Sequence, residues 1–427
     1  MFKNQQIQQN FTSGILVSFI ALPLCIAISL ASSFPILSGI FTAIIGGILV
    51  SQISSAQLAI NGPAAGMIVV ILEAVEKLGA GDVMLGYKYT LAAILCAALL
   101  QVATAFTSLP NLLRKFPESI IRGMMMAIGV IVILKQLFVL FGFKTPKVPL
   151  LQLFAEIPHA FLGANLITLG IGAFAIVTIF VWKKYLEKYR LFRLIPVYLV
   201  VIICSAALAY AAHLTRSHIF LRDSMASPAP SLFIEIPHSI FAAFSFPDFG
   251  KFFSLKFLIA TFAIYAVGSL ETVLSAIAVD KIDPQKNHTD LKKDLFAIGI
   301  GNTICGAIGG LPMITEIVRS TANVNYGATN KWSNFFHGIC LLVAITVFNP
   351  LLHFIPLCVL AAMLIIIGIN LINFRLLTEL FRHSKIDFIA ALCVVFFTIK
   401  IDLLIGIASG LIAYFALRKF QKISAKK

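Results

Sequence analysis

Twelve apolar runs occupy most of this chain, near 11–31, 35–53, 88–107, 119–141, 163–182, 191–213, 254–276, 291–308, 333–348, 353–373, 386–399 and 401–418. Most are about as long as a bilayer-crossing helix, roughly 20 residues. In lipid, every backbone N–H and C=O must be satisfied within the protein, so such runs fold as helices packed against one another. The chain has 427 residues, of which 59% are hydrophobic and 12% charged, and so lacks the polar surface of a soluble globular protein. The fold class is an all-α polytopic membrane protein. A formal net charge of +15 could suggest nucleic acid, but the basic residues sit in short segments between the runs, where they set topology. All seven cysteines lie in or beside apolar runs without ligand spacing and read as small buried residues. The first run follows Lys3 and a polar lead with no small-residue cleavage site, so it reads as a retained span.

Two further segments, near 56–77 and 310–325, are less regular and bring the spans to about fourteen. Charge bias tests that number. With the N-terminus inside and every segment crossing, Arg114 and Lys115 face inward. So do the cluster Lys183, Lys184, Lys188, Arg190 and Arg193 and the loop with Lys281, Lys286, Lys292 and Lys293. Arg375, Arg382, Lys385 and the tail Arg418, Lys419, Lys422, Lys426 and Lys427 complete the inner set. Roughly twice as many basic residues then fall inside as outside, as topology rules require. Dropping either irregular segment inverts everything after it. The longest non-apolar stretch, 215–251, carries Pro228, Pro230, Pro237 and Pro247 and reads as an external loop between two seven-span halves, 1–214 and 252–427. An odd number of spans per half forces the halves into opposite orientations, an inverted repeat. Only about nine residues follow the last span, so no soluble domain is expected there.

The irregular segments are the third member of each half. The first reads Gln57-Leu58-Ala59-Ile60-Asn61-Gly62-Pro63-Ala64-Ala65-Gly66. The second, 309–325, opens Gly-Gly-Leu-Pro-Met-Ile-Thr-Glu and carries Arg319, Asn323 and Asn325. Pro312 removes a backbone donor and biases Leu311 towards extended chain, which predicts extended backbone over 309–314 and a short helix from about 315. Such a half-helix aims unpaired N–H groups and a positive dipole end into the protein, which suits an anion. The plainer alternative is an ordinary loop between helices. Interrupted spans at matching positions of two halves are a pointer to a transport site.

Glu271 lies inside the eighth span with Ser275 one turn on, on the same helix face. The pair can bind a cation such as Na+, or Glu271 can exchange a proton; the alternative is a structural carboxyl capped by a neighbouring hydroxyl. Glu316 stands in the first turn of the second half-helix, where it can cap the helix or hold a coupling cation. Arg319, three residues on, can supply a fixed positive charge to the anion or pair with Glu316. The backbone donors of Ala64, Ala65 and Gly66, opposed to those of Thr315 and Glu316, are the more general anion-holding device. Glu73 and Glu76 read as solvated, and Asp280 with Lys281 as a structural pair. Asn302, Asn323 and Asn325 can satisfy broken backbone. No catalytic triad, phosphate-binding loop or zinc signature is present in the sequence, so no enzyme activity is expected.

The first span, Gly14-Ile-Leu-Val-Ser-Phe-Ile-Ala-Leu-Pro23-Leu, together with Asn-Gly-Pro-Ala-Ala-Gly at 61–66, Glu-Thr-Val-Leu-Ser-Ala at 271–276 and the 309–327 stretch, resembles the SulP (solute carrier family 26) pattern. The resemblance runs the whole chain. It implies a core domain (spans 1–4 and 8–11) moving against a gate domain (spans 5–7 and 12–14), with an anion between the starts of the third and tenth spans. Arg319 matches an arginine that some members place there; Glu271 matches an acidic position linked to sodium or proton coupling, and Ser275 a nearby hydroxyl. Phe19 joins Ala64, Ala65, Gly66, Thr315, Glu316 and Arg319 in the expected anion-binding set. Leu24 stands where many members have glutamine, and the STAS domain of many members is not expected. The wording around Leu24 and Met313 looks most like a bacterial branch often associated with carbonic anhydrase, which implies bicarbonate over sulfate. The expectation is a Na+- or H+-coupled anion transporter with no cofactor beyond co-transported Na+. It would lie in a bacterial inner membrane with both termini cytoplasmic, as a homodimer or monomer, with a functional link to a carbonic anhydrase. A sulfate or dicarboxylate carrier, a nucleobase carrier and an uncoupled anion channel are the alternatives.

Overall fold

The computed structural model describes residues 2–146, 148–189, 192, 195–211, 233–237 and 240–424. Most of the expected external loop, with Pro228 and Pro230, lies outside the described residues, as do Arg190, Arg193, Lys426 and Lys427.

The helices follow the apolar runs. In order they are α1 (Phe2–Ala31), α2 (Ser38–Ile53), α3 (Ile68–Gly79), α4 (Val83–Ala105), α5 (Glu118–Leu140), α6 (Leu150–Leu162), α7 (Leu166–Val181) and α8 (Val197–Ala211). Then come α9 (Leu255–Ile282), α10 (Leu291–Ile308), α11 (Ile317–Asn325), α12 (Trp332–Val347), α13 (Leu357–Ile372), α14 (Phe374–His383), α15 (Lys385–Lys400) and α16 (Leu403–Ser424). Among the described residues, six helices are long and apolar enough to cross a membrane, and five shorter apolar helices accompany them. Polar residues mark several starts: Asp82 accepts from Leu85 N–H to cap α4, Asn165 from Ile167 and Thr168 to cap α7, and Ser254 from Phe257 to cap α9.

Two helices lie outside the expected spans. α6 follows α5, and α14 follows α13, each a short helix joining longer ones. At 13 and 10 residues they are shorter than the apolar runs read as spans.

The helices pack in two groups. In the first, α1 lies on α2 and α12, α4 on α3, α9 and α10, and α9 on α11. In the second, α5 lies on α13 and α15, α15 on α16, and α7 on α8 and α13. The main contacts between groups are α1 against α13 and α8, and α3 against α5.

Inside the first group the helical pattern breaks twice. β1 (Ile60–Pro63) and β2 (Met313–Glu316) pair antiparallel, with Ile60 opposite Glu316 and Pro63 opposite Met313. The extended entries expected from Pro63 and Pro312 are therefore a ribbon. Pairing lets two interrupted segments satisfy each other's backbone away from water.

Candidate functional site

The ribbon decides which side chains face which way, because successive strand residues point to opposite faces. Asn61 and Thr315 are partners in the register and share one face. There the Asn61 amide donates to Thr315 Oγ1 (3.2 Å), and Thr315 donates to Asp294 Oδ2 (3.2 Å) on α10. Ser54 donates a short hydrogen bond to Asp294 Oδ1, and Asn334 of α12 donates to Asn61 Oδ1 (3.0 Å). All five residues are buried.

The opposite face carries Glu316 and Arg319. Gly62 has no side chain, and the Arg319 guanidinium fills the space: a Cβ on Gly62 would lie 2.7 Å from Nη1. From there Arg319 donates a short hydrogen bond to the Pro63 carbonyl, places Nη1 3.6 Å from Cys25 Sγ of α1, and keeps Nε 3.5 Å from Glu316 Oε2. It is 1% exposed. Glu316 also accepts from the Arg319 backbone N–H (2.6 Å), so it caps α11. Both readings of Glu316 and Arg319 that need only each other are thus realised as contacts. The guanidinium ties β1, α11 and α1 together.

Other polar side chains hold the ribbon's ends. Asn302 of α10 takes both backbone groups of Met313, accepting from its N–H (2.6 Å) and donating to its C=O (3.1 Å). Asn323 donates to the Leu58 carbonyl (3.0 Å) and Ser333 Oγ (2.8 Å), and Ser320 Oγ accepts from Ile60 N–H (2.9 Å). Asn325 is exposed at the end of α11.

Beyond Pro63 the chain runs through extended Ala64 into a tight turn over Ala65–Met67 and then α3. Ala64, Ala65 and Gly66 are buried. Antiparallel pairing sets the start of α3 and the start of α11 at opposite ends of the ribbon, roughly 10 Å apart by strand rise. Each start faces the length of ribbon between them. Thr315 and Glu316 lie at the α11 end, and the Thr315 hydroxyl is committed to Asp294.

Glu271 of α9 closes on the α3 start. Its carboxyl packs directly against Gly66, so that a Cβ there would coincide with it. The side chain is buried, and its Oε1 has no hydrogen-bond partner among the described residues. Ser275 is buried one turn further along. Phe19 of α1 is 37% exposed, on a helix interrupted by Pro23, which cannot bond the Phe19 carbonyl.

Two expectations change. Glu73 is only partly exposed and is ion-paired to Lys77 (3.2 Å), whereas Glu76 is exposed as expected and also contacts Lys135 (3.6 Å). Asp280 accepts from the Thr289 hydroxyl (2.6 Å) and N–H (2.8 Å), closing a loop in place of a pair with Lys281. Sequence reasoning also missed Asp294, Asn61, Asn334 and His337. His337 is fully buried, with neither ring nitrogen hydrogen-bonded among the described residues. The signal for these residues is a polar side chain within an apolar run; its partner depends on the tertiary fold.

Two broken segments paired inside a helical membrane protein, with helix starts facing a buried carboxyl and guanidinium, define a solute carrier of the interrupted-span type. The sulfate permease family model matches residues 7–394, and the chain belongs to that family. It is 24% identical over 413 residues to the putative sulfate transporter YvdB of Bacillus subtilis, covering 96% of this chain and 73% of that protein. It is 22% identical over 411 residues to the bicarbonate transporter BicA of a Picosynechococcus, covering 96% and 69%. Its fold matches the transmembrane domain of a cyanobacterium bicarbonate transporter BicA with a TM-score of 0.78 at 21% identity, covering 94% of this chain and 97% of that one. It also matches the murine solute carrier 26 family member A9 anion transporter in the inward-facing state, with a TM-score of 0.82 at 16% identity over 97% of this chain and 68% of that one. The protein is a multi-pass membrane anion transporter of the sulfate permease family, not an enzyme.

Proposed function

We propose that the protein is a secondary active transporter of bicarbonate, coupled to Na+ or H+ through Glu271. The anion lies over the β1–β2 ribbon between the starts of α3 and α11. The first packed group is the core domain and the second the gate, related as halves of an inverted repeat, and the core moves against the gate in an elevator-like step. The protein lies in the inner membrane with cytoplasmic termini.

The observation that carries this reading is the Glu271 carboxyl, buried against Gly66 with an unpaired oxygen. A carboxyl in that position needs a proton or a cation. Once it has one, Glu316 and Arg319 cancel on the face of the ribbon where Glu271 and the helix starts meet, while the Asp294 carboxyl lies on the other face with its oxygens held by Ser54 and Thr315. Two helix starts of about half a positive charge each then leave roughly one positive charge for the solute. A monoanion balances that site better than a dianion, which favours bicarbonate over sulfate.

Uptake in proteoliposomes, with sodium and pH gradients imposed separately and bicarbonate, sulfate and fumarate offered in turn, tests the proposal. Gradient-driven bicarbonate uptake that Glu271→Gln uncouples is the expected result. Current without dependence on either gradient would make the protein a channel, and uptake of sulfate or fumarate alone would overturn the substrate.

A further inference from the structure

On the face opposite the N-terminus, a cavity of about 720 Å³ separates the two packed groups. Its walls are apolar: Ala27, Val69 and Leu72 on one side, Ile131, Leu360 and Leu364 on the other. Charged residues gather at its rim, and their pairing crosses from one group to the other. Lys77, in the last turn of α3, contacts Glu73 on its own helix (3.2 Å) and Asp402 at the start of α16 (3.4 Å). Glu76, beside it, contacts Lys135 of α5 (3.6 Å). Asp402 is itself fixed, since it accepts from Ile405 N–H (2.9 Å) as the cap of α16.

Both cross-group pairs therefore start from one turn of one helix. That helix begins at the ribbon. With 12 residues, α3 is a rod roughly 18 Å long whose other end carries Gly66 and Glu271's contact. Any displacement of the ribbon relative to the second group carries Glu76 and Lys77 with it. The rim lysines that make these pairs already have carboxylate partners, so the charges serve to join the groups.

We infer that Glu76–Lys135 and Lys77–Asp402 form a reversible clasp that joins the two groups across this mouth of the transporter and limits its opening, and that releasing it is part of each transport cycle. The inference rests on the proposed movement of core against gate. Partly exposed ion pairs are weak, with side-chain exposures of 20% for Lys135 and 58% for Glu76. Weak pairs suit a contact that breaks and reforms: losing one shifts a two-state balance by about two- to fivefold.

The test places a reporter cysteine at Leu72, buried in the cavity wall, and measures its labelling by a membrane-impermeant maleimide in proteoliposomes. Peptide mass reads position 72 alone, so the native cysteines stay. Glu76→Gln and Lys135→Gln should each speed labelling by about two- to fivefold, and the reversed pair Glu76→Lys with Lys135→Glu should return it to the starting rate. Lys77→Gln gives an independent measure of the second pair. Equal labelling in all variants, or a reversed pair no slower than the single changes, overturns the clasp. If the starting protein takes up no anion in the uptake panel, the transport reading fails on its own, and the labelling still decides whether the rim pairs limit the cavity's opening.

Discussion

Gly66→Ala is a small change placed where the site has no room. A methyl group on Gly66 would fall on the Glu271 carboxyl group and overlap both oxygens. The backbone at position 66 lies outside the left-handed region, so alanine fits the turn and the conflict is confined to the carboxyl. Glu271 has to swing off its preferred rotamer, and the wall behind it has to give. Overpacking of this kind costs about 1–3 kcal/mol. At 1.36 kcal/mol per decade, the apparent affinity for the coupling cation should fall by about fivefold to a hundredfold. The assay is uptake in proteoliposomes across a series of imposed sodium and pH gradients, read as the half-saturating cation concentration. Shortening the acid should restore part of the loss, because Glu271→Asp withdraws the carboxyl by one methylene. The double variant should therefore perform better than Gly66→Ala alone, a coupling that contact between the two residues requires. Half-saturation unchanged in Gly66→Ala, or a double variant no better than the single one, would refute the placement of Glu271 at the start of α3.

Two other changes test the ribbon's charges. Arg319→Ala strips the Pro63 carbonyl of its donor and Glu316 of its cation, and should destabilise the protein by about 3–5 kcal/mol; Arg319→Lys should recover part of this by reaching Glu316 alone. A thermal melt in detergent that does not separate Arg319→Ala from the starting protein would sink the clamp. Glu316→Gln keeps an oxygen to cap α11 while removing one negative charge. At about 10 Å and an effective dielectric of 20, each unit of anion charge gains roughly 1.7 kcal/mol, so sulfate should improve over bicarbonate by about fifteen- to twentyfold in competition uptake. A selectivity ratio that stays put would mean Glu316 lies too far from the anion to matter.

What the sequence discloses about this fold divides by the range of the interaction. Span positions are local: apolar runs give α10 at Leu291–Ile308 and α5 at Glu118–Leu140 almost to the residue. The breaks are local too, since Pro63 and Pro312 forbid continuous helix. The expectation that both broken segments cross rests on charge bias along the whole chain, still a one-dimensional argument. Pairing is different. Nothing near Gly62 indicates that a guanidinium from Arg319, 257 positions along by their numbers, will occupy its missing side chain. Along the chain Arg319 has only Glu316 as a local partner, so its bond to Pro63 is invisible there. Asp294 stands in the first turn of a helix, where the dipole favours an acid, and nothing local marks it further. Its meaning appears once β1 and β2 are in register, because strand alternation then sends Asn61 and Thr315 together to the face that Asp294 caps. The same alternation leaves Gly62 and Glu316 to the other face, where Arg319 lies. One register thus sorts the polar residues of both broken segments into a neutral anchoring side and a charged side. A shift of one residue would exchange the two. The hydrogen bonds between Asn302 and both backbone groups of Met313 hold that register against slippage, and so the geometry over which the anion is proposed to lie depends on an asparagine of α10, outside both broken segments.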